Sequence, residues 1–559
     1  MKVIYNKVEQ KVKFFIREIT MNREYKTIRE IKERGEAAVG KMIKELVTQE
    51  NVNKWYDNPR NKGWLGNAVE KDWFGLANNS RPEADFKNLG VELKCAGLKF
   101  FPKENSWAAK ERLVLNIFDF NEEYKKDFQN SSFLKKSKLI ELMLYKYNPV
   151  DYFQFEGKPY PIYPSFLMSH SILFNLKDLP EDDWAIIEND WNIIMDMIRQ
   201  GRAEDISEGM TQYLGAVTKG SKTEKNQTKQ PCSKKKAHRR AFSLRPTYMK
   251  EITKRIVQGE LKNSITYASY QNDYPELHKK INAKQIGTQE HVIKDLSELK
   301  HKPFEQIILN QFKPFHNMYK KDLAQKFGVR IKKKNDKASS RLIAQKMFNL
   351  KGDLEETDEF KKAGIALKTI TIESNQRKKA SENRLTTEGF KLESDVSFIK
   401  DICNLDWEDT RVYDYLSTTK FLLVVYEETP EGEIFRGAKF WYMPENELMG
   451  TVKETWEIIK QTLINGVELT FKRFSNKKGY IIENNLPSQV SGPQILHIRP
   501  SAKESDYFES KNSDRLPSPA NWNYRPEDMK DILTDNYMVK QALWLNKNYM
   551  YQQVKEFFE

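Results

Sequence analysis

Two carboxylates and a lysine lie close together in the stretch RPEADFKNLGVELKC, which runs from Arg81 to Cys95. Asp85 and Glu92 could hold Mg²⁺, a hard ion that binds oxygen ligands and keeps several of its waters. Lys94 could orient an attacking water or neutralise negative charge in the transition state. This D-x(n)-E-x-K spacing indicates metal-dependent hydrolysis of a phosphodiester.

The positions around the motif predict a strand that presents the two charged groups together. Val91 to Cys95 has strand character, and side chains alternate between faces with a period of two. Glu92 and Lys94 should therefore point the same way, while their neighbours point into the core. The aspartate would approach from a preceding strand or turn.

Two further residues could complete such a site. Glu70 lies in WLGNAVEKDWFG, which predicts an amphipathic helix from Trp64 to Gly75, and could hold a second metal ion or its waters. Lys110 precedes the apolar strand LVLNIFDF and could contact the attacked phosphate. The alternatives are that Glu70 is a solvated helix charge and that Lys110 only ends a helix or strand.

Three collinear pairs of similar segments indicate an internal duplication. Their offsets are similar, at 265, 274 and 280 residues. The pairs are DWNIIMDMIRQG (Asp190–Gly201) with TWEIIKQTLING (Thr455–Gly466), LGVELK (Leu89–Lys94) with AGIALK (Ala363–Lys368), and LRPTYMKEI (Leu244–Ile252) with YRPEDMKDI (Tyr524–Ile532). We therefore expect a first domain over 1–255 with an N-terminal helical extension, a polar connector over 256–300 and a second domain over 301–559.

The composition favours a polyanionic partner in a reducing compartment. Lys plus Arg total 93 against 79 Asp plus Glu, which gives a formal net charge of +14. The three cysteines form no CxxC pair, which argues against a disulfide framework or a structural zinc site. The N-terminal segment has no continuous apolar core, so we expect no signal peptide, no membrane span and a cytoplasmic location.

The run from Asn61 to Lys94 resembles the MutH-like endonucleases, a family that includes GATC-cutting type II restriction enzymes of the Sau3AI type. NKGWLGNAVEKDWFGLANNSRPEADFKNLGVELK follows the family's K-G-W, helix-Glu, P-x-x-D-F and G-V-E-L-K pattern. The resemblance continues more loosely over most of 40–255 and is more distant in the C-terminal half. It implies two tandem restriction-endonuclease-like α/β domains, each with a mixed central sheet flanked by helices.

The resemblance also implies roles for individual residues. Catalysis would fall to Glu70, Asp85, Glu92, Lys94 and Lys110, with Mg²⁺ held by Asp85, Glu92 and Glu70. The residues implied to contact DNA in this half are Lys62, Gly63, Thr218, Lys219, Ser243 and Arg245. The family's Arg-Pro is replaced here by Val217 and Thr218, so its base-reading contacts do not transfer directly.

A basic run from Lys219 to Arg240 lies between the two expected reading loops. It includes Lys234, Lys235 and Lys236. It could close over the phosphate backbone, where each neutralised phosphate adds salt-sensitive affinity. The alternative is a solvated, mobile loop.

The duplication allows the catalytic positions to be compared within one chain. Two of the three carboxylates are lost, so the second half should not hydrolyse DNA. The expected pairs are Lys62 with Lys337, Glu70 with Gln345, Asp85 with Glu359, Glu92 with Ala366, Lys94 with Lys368 and, in a loose register, Lys110 with Thr418.

The second half nevertheless keeps residues suited to reading DNA. ILHIRP preserves the family's Arg-Pro as Arg499 and Pro500, and a later loop offers Asn523 and Arg525. Arg and Asn side chains pair well with the edges of G and A. We expect a catalytically eroded domain that binds a second DNA site as an allosteric effector, the alternative being a domain that only stabilises its twin.

The leading hypothesis is a type II restriction endonuclease that cuts duplex DNA at GATC with Mg²⁺. Its partner would be duplex DNA, with two sites in each functional complex. The free chain would be a monomer that forms a dimer or a DNA loop on two sites. The alternatives are a mismatch-repair-type GATC nicking enzyme and a DNA-binding regulator that does not cleave.

Overall fold

The computed structural model divides the chain into two compact units. The first comprises Met1–Phe304 with Lys361–Ala363, and the second comprises Glu305–Phe360 with Gly364–Glu559. The residues that the structure describes are 23–61, 63–76, 83–176, 179–220, 224–258, 290–332, 336–373, 385–387, 389–392, 398–474, 479–488 and 495–559.

Several helices of the first unit begin after a polar residue whose side chain accepts a hydrogen bond from a free N–H group of the first turn. The hydroxyl of Thr48 accepts from the backbone N–H of Asn51, and that of Ser131 accepts from Leu134. The helices are α1 (Ile28–Glu36), α2 (Ile43–Leu46), α3 (Gln49–Asp57), α4 (Trp64–Ala68), α5 (Phe120–Glu123), α6 (Ser132–Ser137), α7 (Glu181–Arg199) and α8 (Pro246–Val257).

A mixed four-stranded sheet forms the centre of the first unit. Its order is β2-β1-β4-β7, with β1 and β4 parallel and the other neighbours antiparallel. A second sheet has the order β3-β11-β8. The strands are β1 (Val91–Phe101), β2 (Ser106–Ala109), β3 (Leu113–Phe118), β4 (Leu139–Lys146), β5 (Tyr152–Phe155), β6 (Lys158–Pro161), β7 (Leu167–Asn175), β8 (Leu214–Thr218), β9 (Gln227–Lys229), β10 (Lys236–His238) and β11 (Arg240–Leu244).

The sheet β1-β4-β7 is matched in the second unit by a mixed sheet of order β12-β14-β15. The strand β12 runs parallel to β14, and β14 runs antiparallel to β15. Other sheets have the orders β13-β22-β18, β17-β16-β20 and β19-β21. The strands are β12 (Ile365–Ile372), β13 (Phe390–Lys391), β14 (Lys420–Thr429), β15 (Gly432–Trp441), β16 (Glu468–Arg473), β17 (Tyr480–Asn484), β18 (Leu496–Pro500), β19 (Ser513–Arg515), β20 (Asn521–Tyr524), β21 (Tyr537–Val539) and β22 (Gln541–Leu545).

The helices of the second unit complete the repeat. A short helix precedes the middle strand of the mixed sheet in both units, and a long helix follows the sheet. The helices from residue 304 onwards, of which α9 starts and α12 ends at residues assigned to the first unit, are α9 (Phe304–Asn310), α10 (Lys320–Phe327), α11 (Lys337–Lys346), α12 (Asp358–Ala363), α13 (Phe398–Asn404), α14 (Arg411–Thr418), α15 (Glu445–Glu447), α16 (Lys453–Asn465) and α17 (Lys547–Gln552). Both units are therefore α/β domains of one design, as the resemblance implied.

Two of the three repeat pairs occupy equivalent elements, and the third pairing is wrong. Leu244–Ile252 ends β11 and enters α8, whereas Tyr524–Ile532 follows β20 and forms only a short 3₁₀ helix. The true counterpart of β11 and α8 is β22 with α17, because β22 pairs antiparallel with β18 as β11 pairs with β8. The two segments share the letters R-P-x-x-M-K but do not occupy equivalent elements.

The expected connector is shorter than 256–300. The helix α8 extends through Val257, and residues 290–304 belong to the first unit, where the Asn189 amide donates to the carbonyl of Leu299 at 2.8 Å. Residues 259–289 lie outside the described part of the chain. Among the described helices, none has the length and apolar character needed to span a membrane.

Candidate active site

The strand β1 presents Glu92 and Lys94 side by side. The Lys94 ammonium lies 2.6 Å from Glu92 Oε1. Glu92 is only 1% exposed, so its carboxylate lies in a low-dielectric setting beside a partly exposed cation. Burial, opposed by Lys94, raises the pKa of Glu92. The alternation predicted from the sequence is present, and it brings together the two groups of the E-x-K motif.

Asp85 reaches the same strand through the backbone. Its Oδ2 accepts the N–H of Leu93 at 2.9 Å. The N–H and C=O of one strand residue point to the same side, so the Leu93 carbonyl faces the edge that Asp85 approaches. The strand β2 pairs with β1 only from Leu98 onwards, which leaves this edge open. Asp85 therefore closes the open edge beside Glu92.

Glu70 joins these carboxylates from a π-helical turn. Residues Val69–Trp73 form a π-helix that continues α4, a rare geometry that often occurs at functional sites. Burial raises the pKa of Glu70 to about 7, and the negative charges of Asp85 and Glu92 add to the rise. Asp85 and Glu92 thus lie close enough to Glu70 for their negative charges to disfavour its ionisation.

A second lysine beside Glu92 was missed by the sequence analysis. Lys136, in α6, places its ammonium 3.5 Å from Glu92 Oε1. Lys110, which was expected near the phosphate, instead lies 4.5 Å from the centre of the Tyr147 ring. The sequence FLKKSK around Lys136 gives no sign that this lysine lies beside Glu92, because a lysine in the last turn of a helix is common.

The carboxylate group has the donor set of a divalent metal site. Oε2 of Glu92 is buried and makes no hydrogen bond to the described residues. An orphaned carboxylate oxygen, two further carboxylates and a backbone carbonyl at an open edge offer the oxygen ligands that hard cations bind. A cation there would also offset the negative charges of Asp85 and Glu92, which add to the burial that raises the pKa of Glu70. The residues present therefore fit a divalent metal ion.

Lys219 approaches the same centre from the end of β8. Burial lowers the pKa of its ammonium, and the positive charges of Lys94 and Arg112 contribute. Thr218, the preceding residue, is half-buried and pairs with Arg240 on β11. Cations that lie close enough to repel one another are typical of a surface that receives a polyanion.

The prediction that Ser243 and Arg245 read bases is wrong, because both side chains are buried within the domain. Ser243 has no exposed surface, and Arg245 is 1% exposed. The Arg245 guanidinium donates to the carbonyl of Thr211 at 2.6 Å. Neither the Ser243 side chain on β11 nor the Arg245 side chain that follows this strand is therefore presented at the surface. Gly63 is exposed just before α4, and Lys62 lies outside the described residues.

The basic run after Lys219 is largely an ordered hairpin. The strands β9 and β10 pair from Lys229 with Lys236 to Gln227 with His238. Arg240 is buried and donates to the carbonyl of Ala216 at 2.9 Å. Among the described residues of the segment, the exposed cations are Lys225, Lys229, Lys234, Lys235, Lys236 and Arg239.

The equivalent centre of the second unit has a different acid from the one expected. Glu355 Oε1 accepts the N–H of Leu367 at 2.5 Å, as Asp85 accepts that of Leu93. Glu359 lies in α12 and is 1% exposed, so pairing it with Asp85 is wrong. Ala366 and Lys368 flank Leu367 as Glu92 and Lys94 flank Leu93. The central carboxylate is therefore missing.

Two other expected pairs can now be placed. The amide of Gln345, at the end of α11, donates to Asp353 Oδ1 at 2.7 Å. Thr418 ends α14, which precedes β14 as α6 precedes β4, so its pairing with Lys110 is wrong. By register, Ser417 stands where the first unit has Lys136. The second unit thus also lacks that lysine.

The expected DNA-reading residues of the second unit fall into two separate places. The Arg499 guanidinium on β18 lies 3.6 Å from the centre of the Trp544 ring on β22, and Pro500 beside it is exposed. Asn523 and Arg525 belong to β20 and its following loop. There Arg525 pairs with Asp535 at 2.6 Å. The structure therefore does not place these four residues in one group.

Known proteins resemble both the first unit and the whole chain. The family model for the DNA mismatch repair enzyme MutH matches residues 74–164. The type II restriction enzyme Sau3AI of Staphylococcus aureus is 32% identical over 546 residues, which cover 95% of this chain and 99% of that protein. The DNA mismatch repair protein MutH of Shewanella baltica is 24% identical over 41% of this chain and 94% of its own length. The chain therefore belongs to the MutH-like restriction endonucleases, the family of Sau3AI.

Proposed function

We propose that the chain is a type II restriction endonuclease that hydrolyses duplex DNA at GATC sites with Mg²⁺ in its first unit. The observation that supports this most directly is the convergence of Glu70, Asp85, Glu92 and Lys94 at one open strand edge. The GATC specificity rests on the family resemblance of the segment from Asn61 to Lys94 and on the relationship to Sau3AI.

Different residues of the first unit would have different roles in hydrolysis. Asp85, Glu92 and the Leu93 carbonyl would hold Mg²⁺, which would supply Lewis-acid stabilisation of the attacked phosphate. Glu70 would hold a water or a second ion at the rim of the group. Lys94, fixed by its ion pair with Glu92, would orient the attacking water on the open side of β1.

We assign the role first expected of Lys110 to Lys136. Its side chain is 17% exposed and its ammonium lies beside Glu92, so it can offset negative charge near the attacked phosphate. Lys219 and Arg112 extend this positive surface, and the exposed lysines of the β9–β10 hairpin would contact the backbone beyond it. Lys62 and Gly63 remain candidates for DNA contact on the strength of the resemblance.

Plasmid digestion tests this proposal. Wild type with Mg²⁺ should give fragments that end at GATC, whereas Glu92→Gln and Lys94→Ala should lose about 10³-fold or more of the cleavage rate. Lys99→Ala, which removes an exposed lysine further along β1, is the matched control and should cut normally. Full activity in Glu92→Gln would show that this site is not the catalytic one.

The same digestion separates the alternatives. Open circles without linear product would identify a GATC nicking enzyme of the mismatch-repair type, an outcome favoured only by the MutH similarity. A gel shift without any cutting would identify a DNA-binding regulator. Both outcomes would overturn the restriction assignment.

We further propose that the second unit, here taken from residue 305, binds a second GATC site and acts as an allosteric effector. Ala366 removes the central carboxylate, while Lys368 and Arg499 keep positive charge at the corresponding place. A monomeric chain would then meet two sites by looping the DNA or by pairing with another chain. The scattered free cysteines favour the cytoplasm as its location.

A further inference from the structure

The eroded centre of the second unit contains a fixed guanidinium. Arg341 Nη1 lies 3.2 Å from Glu355 Oε1 and 3.5 Å from the Leu367 carbonyl. Its Nη2 lies 2.8 Å from Glu355 Oε2 and 3.1 Å from Asp353 Oδ2. Glu355 and the Leu367 carbonyl correspond to Asp85 and the Leu93 carbonyl, which are two of the oxygen ligands assigned to the metal in the first unit.

We propose that the Arg341 guanidinium replaces the metal ion in the second unit and makes the eroded centre a metal-independent binding site for a backbone phosphate of DNA. The choice of DNA as the source of the phosphate rests on the function proposed above. The position of the Arg341 guanidinium, on oxygens equivalent to the proposed metal ligands of the first unit, does not rest on that function. A divalent ion cannot occupy this place while Arg341 is bound to the same carboxylate and carbonyl.

The surroundings of Arg341 support an anionic ligand. A cavity of about 700 Å³ opens beside it, and the described residues that line it include six basic side chains and no acidic one. The basic residues are Lys337, Arg341, Lys368, Lys391, Arg499 and Lys547. Such an excess of one sign in a concave site attracts an ion of the opposite sign.

The cavity also holds its cations in defined positions. Arg499 stacks on the Trp544 ring, and the Lys547 ammonium donates to the carbonyl of Thr387 at 3.0 Å. Asp353 and Glu355 neutralise Arg341, which allows a guanidinium to remain at a half-buried place. The other basic residues supply the positive charge that an incoming phosphate would meet.

Counting bound metal ions tests the replacement directly. In the full chain, Arg341→Ala frees Asp353, Glu355 and the Leu367 carbonyl, so it should bind one more Mn²⁺ than wild type by electron paramagnetic resonance titration. Arg341→Lys keeps the charge and should bind the wild-type number. Lys337→Ala removes one charge from the same helix and is the control. An unchanged Mn²⁺ count in a folded Arg341→Ala chain would overturn the inference.

Counting bound DNA duplexes tests the phosphate site. In the Glu92→Gln background, which prevents cleavage, the chain in EDTA should bind two short GATC duplexes, and inorganic phosphate should compete with one. Adding Arg341→Ala should weaken the affinity for the duplex bound by the second unit about tenfold in EDTA, and Mg²⁺ should restore that affinity.

The two possible failures can be told apart. If the Glu92→Gln chain binds only one duplex, the second-site function fails, and the Mn²⁺ count still judges the metal replacement. If it binds two duplexes whose affinities do not change with Arg341→Ala in EDTA, the phosphate role of Arg341 is wrong while the second site stands.

Discussion

The ionisation of Glu70 offers a direct way to measure the electrostatics of the candidate active site. Its pKa is raised to about 7 because burial and two neighbouring carboxylates disfavour its charge. Only the ionised form can bind a metal ion, so protons compete with the metal below pH 7. With Glu70 as a proposed metal ligand, we expect metal binding at this site to depend on a proton equilibrium near pH 7.

We predict that metal affinity falls as the pH drops through 7, by up to about tenfold per pH unit from Glu70. Calorimetric titration with Ca²⁺ at pH 8, 7 and 6 would measure it. Glu70→Gln cannot ionise, so its slope should be clearly smaller, with Glu92 supplying the remainder. The matched control is Glu83→Gln, at a half-buried carboxylate that pairs with Lys87. Equal slopes in wild type and Glu70→Gln would contradict the assignment.

The two candidate lysines give a second prediction at the same scale. Lys136→Ala should reduce the cleavage rate about 10²-fold or more, because it removes a cation 3.5 Å from Glu92. Lys110→Ala should have a much smaller effect, since its ammonium packs on the Tyr147 ring. Single-turnover cleavage of a GATC duplex measures both. A larger loss in Lys110→Ala than in Lys136→Ala would reverse the assignment.

At the scale of elements, the sequence predicted what depends on local periodicity. The strand around Glu92 and Lys94 was predictable because its two charged positions share one face and its apolar neighbours share the other. The equivalence of α7 with α16 was predictable because each carries the same apolar stripe. These features are encoded within a few consecutive residues.

The features that escaped prediction depend on long-range pairing. Glu355 stands twelve positions before Leu367, whereas Asp85 stands eight before Leu93. The equivalence is visible only when the hydrogen bond to the strand edge is known. Ser243 and Arg245 are buried by parts of the chain distant in sequence, as the hydrogen bond from Arg245 to the Thr211 carbonyl shows, and no local pattern reveals this. The β22–α17 repeat shares geometry with β11–α8 but few letters.

At the scale of the whole molecule, the first unit carries the carboxylates and lysines to which we assign catalysis, and the second unit carries the basic cavity to which we assign DNA binding. The first keeps the carboxylates that we propose as metal ligands. The second keeps a cationic cavity in which Arg341 occupies the place of that ion. We expect the duplicated chain to separate recognition from hydrolysis. The MutH of Shewanella baltica, by contrast, covers only 41% of this chain.

This division predicts that cleavage depends on the number of sites in the DNA. A plasmid with two GATC sites should be cut about tenfold faster than one with a single site, and a GATC duplex added in trans should stimulate the single-site plasmid. Arg499→Ala should abolish the stimulation and keep the basal single-site rate, because it alters the second unit only. Arg525→Ala, at an arginine bound to Asp535 outside the cavity, is the control and should retain the stimulation. If Arg499→Ala is stimulated as strongly as wild type, the effector site lies elsewhere in the second unit, and if wild type cuts both plasmids at one rate, the second unit has no effector role.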